Sequence, residues 1–226
     1  MTTGTVHDLI RVLIVDDQAL VRRGFRMVLE IEPDLEIVGE AADGEEAVAL
    51  TRDLAPDVVL MDVRMPNVDG VEATRRVTAD ARCHAKVIML TTFDMDDYVY
   101  DALQAGASGF LLKDIQPELL VAGIHAVNAG ESLLAPTVTR RMIESFLSHR
   151  PAGNQPDSAG LATLTQRERE TLDLIVRGLT NTEIAETFVV SETTVKTHVS
   201  RVLMKLGVRD RVHAVIYAYE HGLNPR

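Results

Sequence analysis

The chain has 226 residues, a length that allows one large domain or two small ones, and its apolar content of 46% is ordinary for a globular protein. Its net charge of −11 lies entirely in the first 150 residues, because the part from Pro151 onward carries nine basic and nine acidic side chains. An acidic balance argues against a general affinity for nucleic acid, but the neutral C-terminal part leaves room for a local basic face.

Three features of the sequence argue against a membrane or secreted protein. No stretch reaches the roughly 18 uncharged apolar residues that a membrane helix needs, and residues 1–8 contain no apolar core of a secretory signal. The single Cys83 excludes an internal disulfide and is typical of the reducing cytoplasm. We therefore expect a cytoplasmic globular protein with no membrane partner.

The first half of the chain alternates short apolar runs with amphipathic stretches, which predict β-strands and helices respectively. The predicted strands are Val12–Val15, Leu35–Glu40, Val58–Met61, Lys86–Leu90 and Gly109–Leu112. The predicted helices are Ala19–Glu30, Gly44–Asp53, Gly70–Asp80, Asp96–Ala105 and Pro117–Ala129. Five repeats of strand and helix predict an α/β fold, a doubly wound parallel sheet of five strands with helices on both faces.

After Gly130 the alternation stops. Pro136 can open a further helix that ends near Leu147, and Arg150–Gly160 has the Pro- and Gly-rich composition of a mobile linker. We therefore expect an N-terminal domain over residues 8–130, a linker helix and flexible linker over 131–160, and a second, smaller all-α domain over 161–226.

The second domain is predicted to contain four helices. Thr165 and Glu168 have the spacing of a capping box at the start of the first, Ser191 is the predicted N-cap of the third, and Gly207 ends it. The pair Asn181–Phe188 and Ser191–Leu206 predicts a helix-turn-helix unit. The fourth helix begins at Asp210 or Arg211 and ends at His221.

Acidic side chains stand at the carboxyl ends of two predicted strands of the first domain. Asp16 and Asp17 follow the first strand, and Asp62 ends the third. Ligands of open parallel sheets bind at this edge. Three carboxylates gathered there would repel one another, and a hard divalent cation such as Mg²⁺ would remove that cost. Thr91 and Lys113, after the fourth and fifth strands, add a hydroxyl and a positive charge at the same edge.

These residue types in these places predict phosphoryl transfer. Asp62 is the candidate nucleophile, Asp17 a direct metal ligand, and Asp16 a ligand acting directly or through water. Thr91 and Lys113 are placed to bind phosphoryl oxygens. Each residue alone would be an ordinary strand-end polar group, and it is their convergence that indicates a site.

Four motifs of the first half can be compared with known families. They are VLIVDD, VVLMDVRMP, Leu-Thr-Thr after the fourth strand, and GFLLK. They resemble the receiver domain of bacterial two-component response regulators. The resemblance implies that Asp62 accepts a phosphoryl group from a sensor histidine kinase. It implies that Mg²⁺ is held by Asp16, Asp17, Asp62 and the backbone carbonyl of Arg64.

Two positions depart from the common receiver pattern. The resemblance implies a switch aromatic at Phe110, which lacks the hydroxyl of a tyrosine. Asp114 stands where many receivers have a proline in a cis bond after the lysine. A cis bond before a non-proline residue costs about 2.5–4 kcal/mol, so the geometry of the Lys113–Asp114 bond is left open by the sequence.

The third helix of the second domain has a polar side opposite an apolar stripe of Val195, Val199, Val202 and Leu206. Such a polar side is by itself typical of any solvated helix. The segment from Leu164 onward, however, is similar to LuxR-type helix-turn-helix domains, and its pairing with a receiver is that of the NarL/FixJ group. The resemblance implies that the major groove is faced by Lys196, Thr197 and Ser200. It implies contacts nearer the backbone phosphates for Thr194, His198, Arg201 and Lys205.

Our leading hypothesis is therefore a phosphorylation-controlled, DNA-binding transcription regulator that is not itself an enzyme. The implied partners are double-stranded promoter DNA, a sensor histidine kinase, a second copy of the chain when phosphorylated, and RNA polymerase. One alternative is a phosphorylation-independent regulator whose receiver only dimerises or binds a partner. Another is a haloacid-dehalogenase-like phosphatase, although such enzymes usually need a second aspartate where Arg64 stands here.

Overall fold

The computed structural model describes residues 9–92, 101–130 and 159–223, and the chain divides into two compact units, Met1–Leu133 and Leu134–Arg226. The predicted helix from Pro136 lies outside the described residues, as does most of the predicted linker. None of the helices in the described ranges combines the length and apolar content that a bilayer crossing requires.

The first unit is a five-stranded parallel sheet with the strand order β2-β1-β3-β4-β5. Its strands are β1 (Ile10–Val15), β2 (Leu35–Ala41), β3 (Val58–Asp62), β4 (Lys86–Thr91) and β5 (Gly109–Leu112). Its helices are α1 (Ala19–Leu29), α2 (Gly44–Leu54), α3 (Gly70–Ala79) and α4 (Pro117–Asn128). Residues 101–104 are also helical, and the rest of the helix predicted at Asp96–Ala105 lies outside the described residues. The predicted fold class is confirmed.

Continuous apolar runs form the central strands because the sheet is covered on both faces. Every residue of β3 is buried, from Val58 to Asp62. On one face, alternate strand residues pack against Phe25 and Leu29 of α1 and Leu120 and Ile124 of α4. Helices α2 and α3 pack against each other and against the sheet. This burial fixes the direction in which each strand end presents its side chains.

The parallel register aligns the carboxyl ends of the strands. Val15 pairs with Met61 in β3, Asp62 pairs with Leu90 in β4, and Thr91 pairs with Leu112 in β5. Residues that follow these positions therefore emerge at one edge of the sheet.

Gly70 allows α3 to begin directly against the end of β3. Its N–H donates to the carbonyl of Val63 at 3.0 Å, and a Cβ at this position would lie 1.9 Å from the carbonyl oxygen of Asp62. Asn67, in the same connection, has a left-handed backbone with φ of 63°. The loop after β3 is thus folded back tightly onto the strand that it leaves.

The second unit is helical and consists of α5 (Ala159–Ala162), α6 (Gln166–Val176), α7 (Asn181–Phe188), α8 (Glu192–Leu206) and α9 (Arg211–Glu220). Thr165 and Thr180 each form a complete capping box, Ser191 and Asp210 cap α8 and α9, and Gly207 ends α8 with φ of 66°. The local capping signals read from the sequence are confirmed.

The core of the second unit joins α5, α6, α8 and α9 through Leu161, Leu172, Val176, Val202, Leu206, Ala214 and Ala218. The sequence predicted that the linker would extend to residue 160, yet Ala159 and Gly160 begin α5. Gly160 packs against the hydroxyl of Tyr217, where a Cβ would lie 2.2 Å from that oxygen. A buried Arg211 donates to Asn181 and to the carbonyl of Leu179, which ties the start of α9 to the start of α7.

Two glycines of the first unit should respond to alanine in opposite directions. Gly24 is in the exposed face of α1, where a Cβ would meet no other atom within 4 Å, so Gly24→Ala should raise the free energy of unfolding by about 0.5–1 kcal/mol through helix propensity. Gly70→Ala should lower it by about 1–3 kcal/mol because the methyl group overpacks the Asp62 backbone. Urea denaturation followed by circular dichroism measures both, and equal effects would contradict this assignment of their roles.

Candidate functional site

Three carboxylates meet at the carboxyl edge of the sheet. One oxygen each from Asp16, Asp17 and Asp62 lies within 4.8 Å of the others. Asp16 and Asp62 are buried, whereas Asp17 is exposed. This donor set consists of hard oxygen atoms with an open side toward solvent, which suits a small divalent cation that keeps several waters. The residues therefore fit Mg²⁺.

Lys113 lies between two of the three carboxylates. Its Nζ atom is 2.7 Å from Oδ2 of Asp16 and 2.9 Å from Oδ1 of Asp62. Burial opposes the charge on the lysine, but the hydrogen bonds to the two aspartates raise the pKa of Lys113 above its ordinary value. In this arrangement, the ammonium group offsets much of the repulsion between the buried carboxylates.

Burial is the main reason that the pKa of Asp62 is raised above the ordinary aspartate value. The hydrogen bond from Lys113 opposes the rise, repulsion from Asp16 adds to it, and a hydrogen bond from the backbone N–H of Arg64 opposes it. A desolvated carboxylate with a raised pKa is a better nucleophile than a fully hydrated one, and perturbed groups of this kind are concentrated at functional sites.

The remaining predicted residues of this site, Thr91 and Phe110, lie in β4 and β5 and make other contacts. Thr91 ends β4, and its hydroxyl donates to the carbonyl of Thr92 at 3.0 Å. Phe110 is buried in β5, where it pairs with Met89. All peptide bonds of the described residues are trans, and the bond between Lys113 and Asp114 is among them. The structure thus brings the three aspartates and Lys113 together, whereas the Thr91 hydroxyl is hydrogen-bonded to a backbone carbonyl.

In the second unit, α8 has the two faces that its sequence predicted. Val195, Val199, Val202 and Leu206 are buried. The exposed side chains are those of Thr194, Lys196, Thr197, Ser200 and Arg201, while His198 and Lys205 are partly buried. Two side chains of the exposed face make contacts within α8. Lys196 pairs with Glu192 at 3.2 Å, and the Thr197 hydroxyl donates to the carbonyl of Thr193.

Lys205 has a structural partner that the sequence pattern did not reveal. Its Nζ atom lies 2.6 Å from Oε2 of Glu168 and 3.2 Å from the carbonyl of Thr163. Glu168 is buried and also accepts from the backbone N–H of Thr165. Lys205 therefore ties the end of α8 to the start of α6. Its contact with DNA phosphates stays a prediction, while its ammonium group is bonded within the domain to Glu168.

Two further exposed residues, on and just before α8, were not among the predicted DNA contacts. Met204 is 73% exposed and lies four residues after Ser200 and seven after Thr197, so it is on the same face of α8. Val189, in the turn before α8, is 90% exposed and has a left-handed backbone with φ of 56°. Helical spacing would have found Met204, whereas nothing in the sequence indicated the backbone of Val189.

The fold and the strand-end carboxylates define a receiver-type signalling domain joined to a helix-turn-helix domain, and comparison with known proteins agrees. A family model described as "Response regulator receiver domain" matches residues 12–125, and one described as "Bacterial regulatory proteins, luxR family" matches residues 162–218. The chain belongs to the response regulators that combine a receiver domain with a LuxR-type DNA-binding domain.

Similar proteins match over nearly the whole chain. The transcriptional regulatory protein LiaR of Bacillus subtilis is 41% identical, over 95% of this chain and 99% of its own length. The response regulator protein VraR of Staphylococcus aureus is 41% identical, over 95% of this chain and 98% of its own. Among solved structures, the crystal structure of the response regulator ChrA, from a heme-sensing two-component system, is similar to this chain with a TM-score of 0.52. The two sequences are 34% identical, and the match covers 96% of this chain and 100% of ChrA.

The bond between Lys205 and Glu168 should make the stability of the second domain depend on pH. Lys205 and the backbone N–H of Thr165 lower the pKa of Glu168 from 4.5 to about 2. A lowered pKa means that the ionised pair contributes fully above pH 4.5 and loses its contribution as the pH falls from 4.5 through 2. Lys205→Met should therefore lower the free energy of unfolding by about 1.5–3 kcal/mol at neutral pH, the size of a hydrogen bond to a charged group.

Urea denaturation of both proteins between pH 7 and pH 2 measures this difference. The exposed Arg169, on α6, offers Arg169→Met as a control that removes one positive charge without touching Glu168. A difference between wild type and Lys205→Met that stayed constant down to pH 2 would show that the pair is not what stabilises the domain.

Proposed function

We propose that this response regulator is switched by transfer of a phosphoryl group from a sensor histidine kinase to Asp62, and that it then controls transcription by binding promoter DNA. The observation that carries the proposal is the cluster in which the buried Asp62 meets Asp16, Asp17 and Lys113. An acceptor carboxylate, oxygen ligands for a cation and a positive charge for the phosphoryl group are together at one strand edge.

The chemical step needs little from the protein besides positioning. A carboxylate oxygen of Asp62 forms a bond to phosphorus in line with the leaving group. The bond between phosphorus and the donor's histidine nitrogen breaks, and its electron pair stays on the imidazole. Mg²⁺, held by Asp16, Asp17, Asp62 and the backbone carbonyl of Arg64, would supply positive charge to the phosphoryl oxygens. Lys113, already 2.9 Å from Asp62, binds one of those oxygens.

Phosphorylation of Asp62 would change the hydrogen-bond partners of the residues around it, and this change is the proposed switch. A phosphoryl group on Asp62 offers new acceptor oxygens and added negative charge. The hydroxyl of Thr91 leaves the carbonyl of Thr92 to donate to one of these oxygens, and Phe110 repacks in the space that Thr91 vacates. We propose that this rearrangement changes the surface around β4 and β5 and promotes dimerisation of phosphorylated receivers.

For DNA, we propose that the exposed face of α8 enters the major groove. Lys196, Thr197 and Ser200 read base edges, and Met204 extends this face with an apolar contact. The positions nearer the phosphates are Thr194, His198, Arg201 and Lys205. One helix-turn-helix unit reads few base pairs, so a dimer on paired half-sites is the expected binding form. RNA polymerase is the further partner that transcription control requires.

The proposed domain division is 8–130, 131–158 and 159–226, which moves the predicted boundary at residue 160 to the start of α5 at Ala159. The two family matches, over residues 12–125 and 162–218, support it by leaving the middle segment unmatched. The Pro- and Gly-rich composition of residues 150–160 supports the assignment of that stretch as a linker.

Phosphoryl transfer is tested with acetyl phosphate and Mg²⁺, followed by intact-mass spectrometry. The wild type should gain one phosphoryl group, Asp62→Asn should gain none, and Asp17→Ala should lose labelling because its metal site is incomplete. Asp53→Asn, at an exposed aspartate of α2, is the control and should label normally. Undiminished labelling of Asp62→Asn would refute the assignment of the acceptor.

The DNA face is tested by comparing specific with random duplexes. Lys196→Ala should lose about 1–3 kcal/mol on the specific site only, because it removes a base contact. Arg201→Ala should weaken binding to both duplexes alike and reduce the salt dependence by about one unit of slope, because it removes a phosphate contact. Arg177→Ala, exposed outside α8, controls for the change in charge. Identical losses for Lys196→Ala on the two duplexes would contradict base reading.

One DNA titration distinguishes the proposed phosphorylation-controlled regulator from the phosphorylation-independent alternative. The full chain, with and without a phosphoryl group on Asp62, is titrated with the same promoter duplex, and its oligomeric state is followed by light scattering. Our proposal expects tighter binding and dimer formation after phosphorylation. Equal affinity and equal mass in both samples would favour a regulator that does not use the acceptor site.

A further inference from the structure

Arg22, outside the predicted site, holds the backbone of the loop that carries two of the carboxylates. Its Nη1 atom donates to the carbonyl oxygen of Asp16 at 2.6 Å, and its Nε atom donates to Oε2 of Glu40 at 3.1 Å. Its side chain is only 17% exposed. Arg22 therefore connects α1, the end of β1 and strand β2 at the base of the site.

Glu40, which anchors this arginine, is itself held by a second arginine. It is in β2, where it pairs with Ile14 of β1, and its Oε1 atom accepts from Nε of Arg26 at 2.5 Å. The hydrogen bond from Arg26 is the main reason that the pKa of Glu40 is below its ordinary value, so Glu40 is ionised at neutral pH. The guanidinium of Arg22 is thus oriented by a strand carboxylate and not by solvent.

The contact at the Asp16 carbonyl bears on Asp17 as well as on Asp16. A peptide unit is planar, so the position of the Asp16 oxygen fixes the N–H and the Cα atom of Asp17. The side chain of Asp16 is already held from two sides, by the backbone N–H of Gln18 at 2.9 Å and by Lys113 at 2.7 Å. The side chain of Asp17 is exposed, and its direction depends on that peptide plane.

We infer that Arg22, anchored on Glu40, is a positioning residue that orients Asp16 and Asp17 for a divalent cation. This inference rests on the proposed function, because it concerns the same metal site. It adds a residue that touches neither the cation nor the phosphoryl group and that acts only through the backbone of a ligand. Contacts of this kind typically change metal affinity by about 10–100-fold when they are removed.

A purely electrostatic role would have the opposite effect. A positive charge beside three carboxylates repels a cation, so removing the charge of Arg22 would by itself tighten the binding of Mg²⁺. Positioning predicts weaker binding, because the freed Asp16–Asp17 peptide would sample orientations that do not bring both carboxylates to the cation. The sign of the change therefore separates the two roles.

The test is a titration of the full chain with MgCl₂ by isothermal calorimetry, at a temperature where circular dichroism shows each variant to be folded. Arg22→Met should weaken binding by about 10-fold. Arg23→Met, on the adjacent exposed residue of α1, makes the same change in charge and should not weaken it. Arg22→Lys keeps the charge but has no fork to bridge Glu40 and the Asp16 carbonyl, so it should also bind Mg²⁺ more weakly than wild type.

Acetyl phosphate labelling gives a second readout. For Arg22→Met, the Mg²⁺ concentration at half-maximal labelling should rise, whereas the rate at saturating Mg²⁺ should match the wild type, since the nucleophile is unchanged. Mg²⁺ affinity of Arg22→Met equal to or tighter than that of the wild type would overturn the inference, as would full affinity in Arg22→Lys. A wild-type chain that neither binds Mg²⁺ nor labels Asp62 would instead overturn the proposed function.

Discussion

Repulsion among carboxylates at the carboxyl edge of the sheet is the constraint on which the rest of the first domain depends. Asp16 and Asp62 are buried within reach of Asp17, an arrangement that is unfavourable without positive charge. Lys113 provides that charge from the end of β5 by contacting both buried carboxylates. Under the proposed function, this ammonium group would exchange its carboxylate partners for phosphoryl oxygens when Asp62 is phosphorylated.

Two contacts hold the backbone around the site. Gly70 lets α3 start against the carbonyl of Asp62, and Arg22 fixes the carbonyl of Asp16 through Glu40. These contacts keep the strand ends in place, while the hydroxyl of Thr91 rests on a neighbouring carbonyl that it can leave. The proposed switch requires this combination of a fixed frame with a few polar groups that can change partners.

The DNA-binding domain shows a similar division between frame and reading surface. Capping boxes at Thr165 and Thr180, the buried Arg211 and the bond between Lys205 and Glu168 lock its short helices together. This leaves one face of α8 exposed, with hydroxyl, cationic and apolar groups on successive turns. A domain of this size has a small core, so polar contacts between its helices contribute a large share of its fixed geometry.

The local and the repetitive features of this protein could be predicted from its amino-acid sequence alone. Alternating apolar runs predicted the five strands, and Thr165, Ser191 and Gly207 marked helix ends, because both signals act within a few residues. The site could be predicted as well, since a parallel sheet brings Asp16, Asp62 and Lys113 to one edge whatever the details of packing. Three contacts could not be predicted in this way. They are the pairing of Lys205 with Glu168, the pairing of Arg22 with Glu40, and the hydrogen bond from the Thr91 hydroxyl to the carbonyl of Thr92. Periodicity reports which side of a helix faces the core, but these contacts depend on distances between elements that are far apart in the chain.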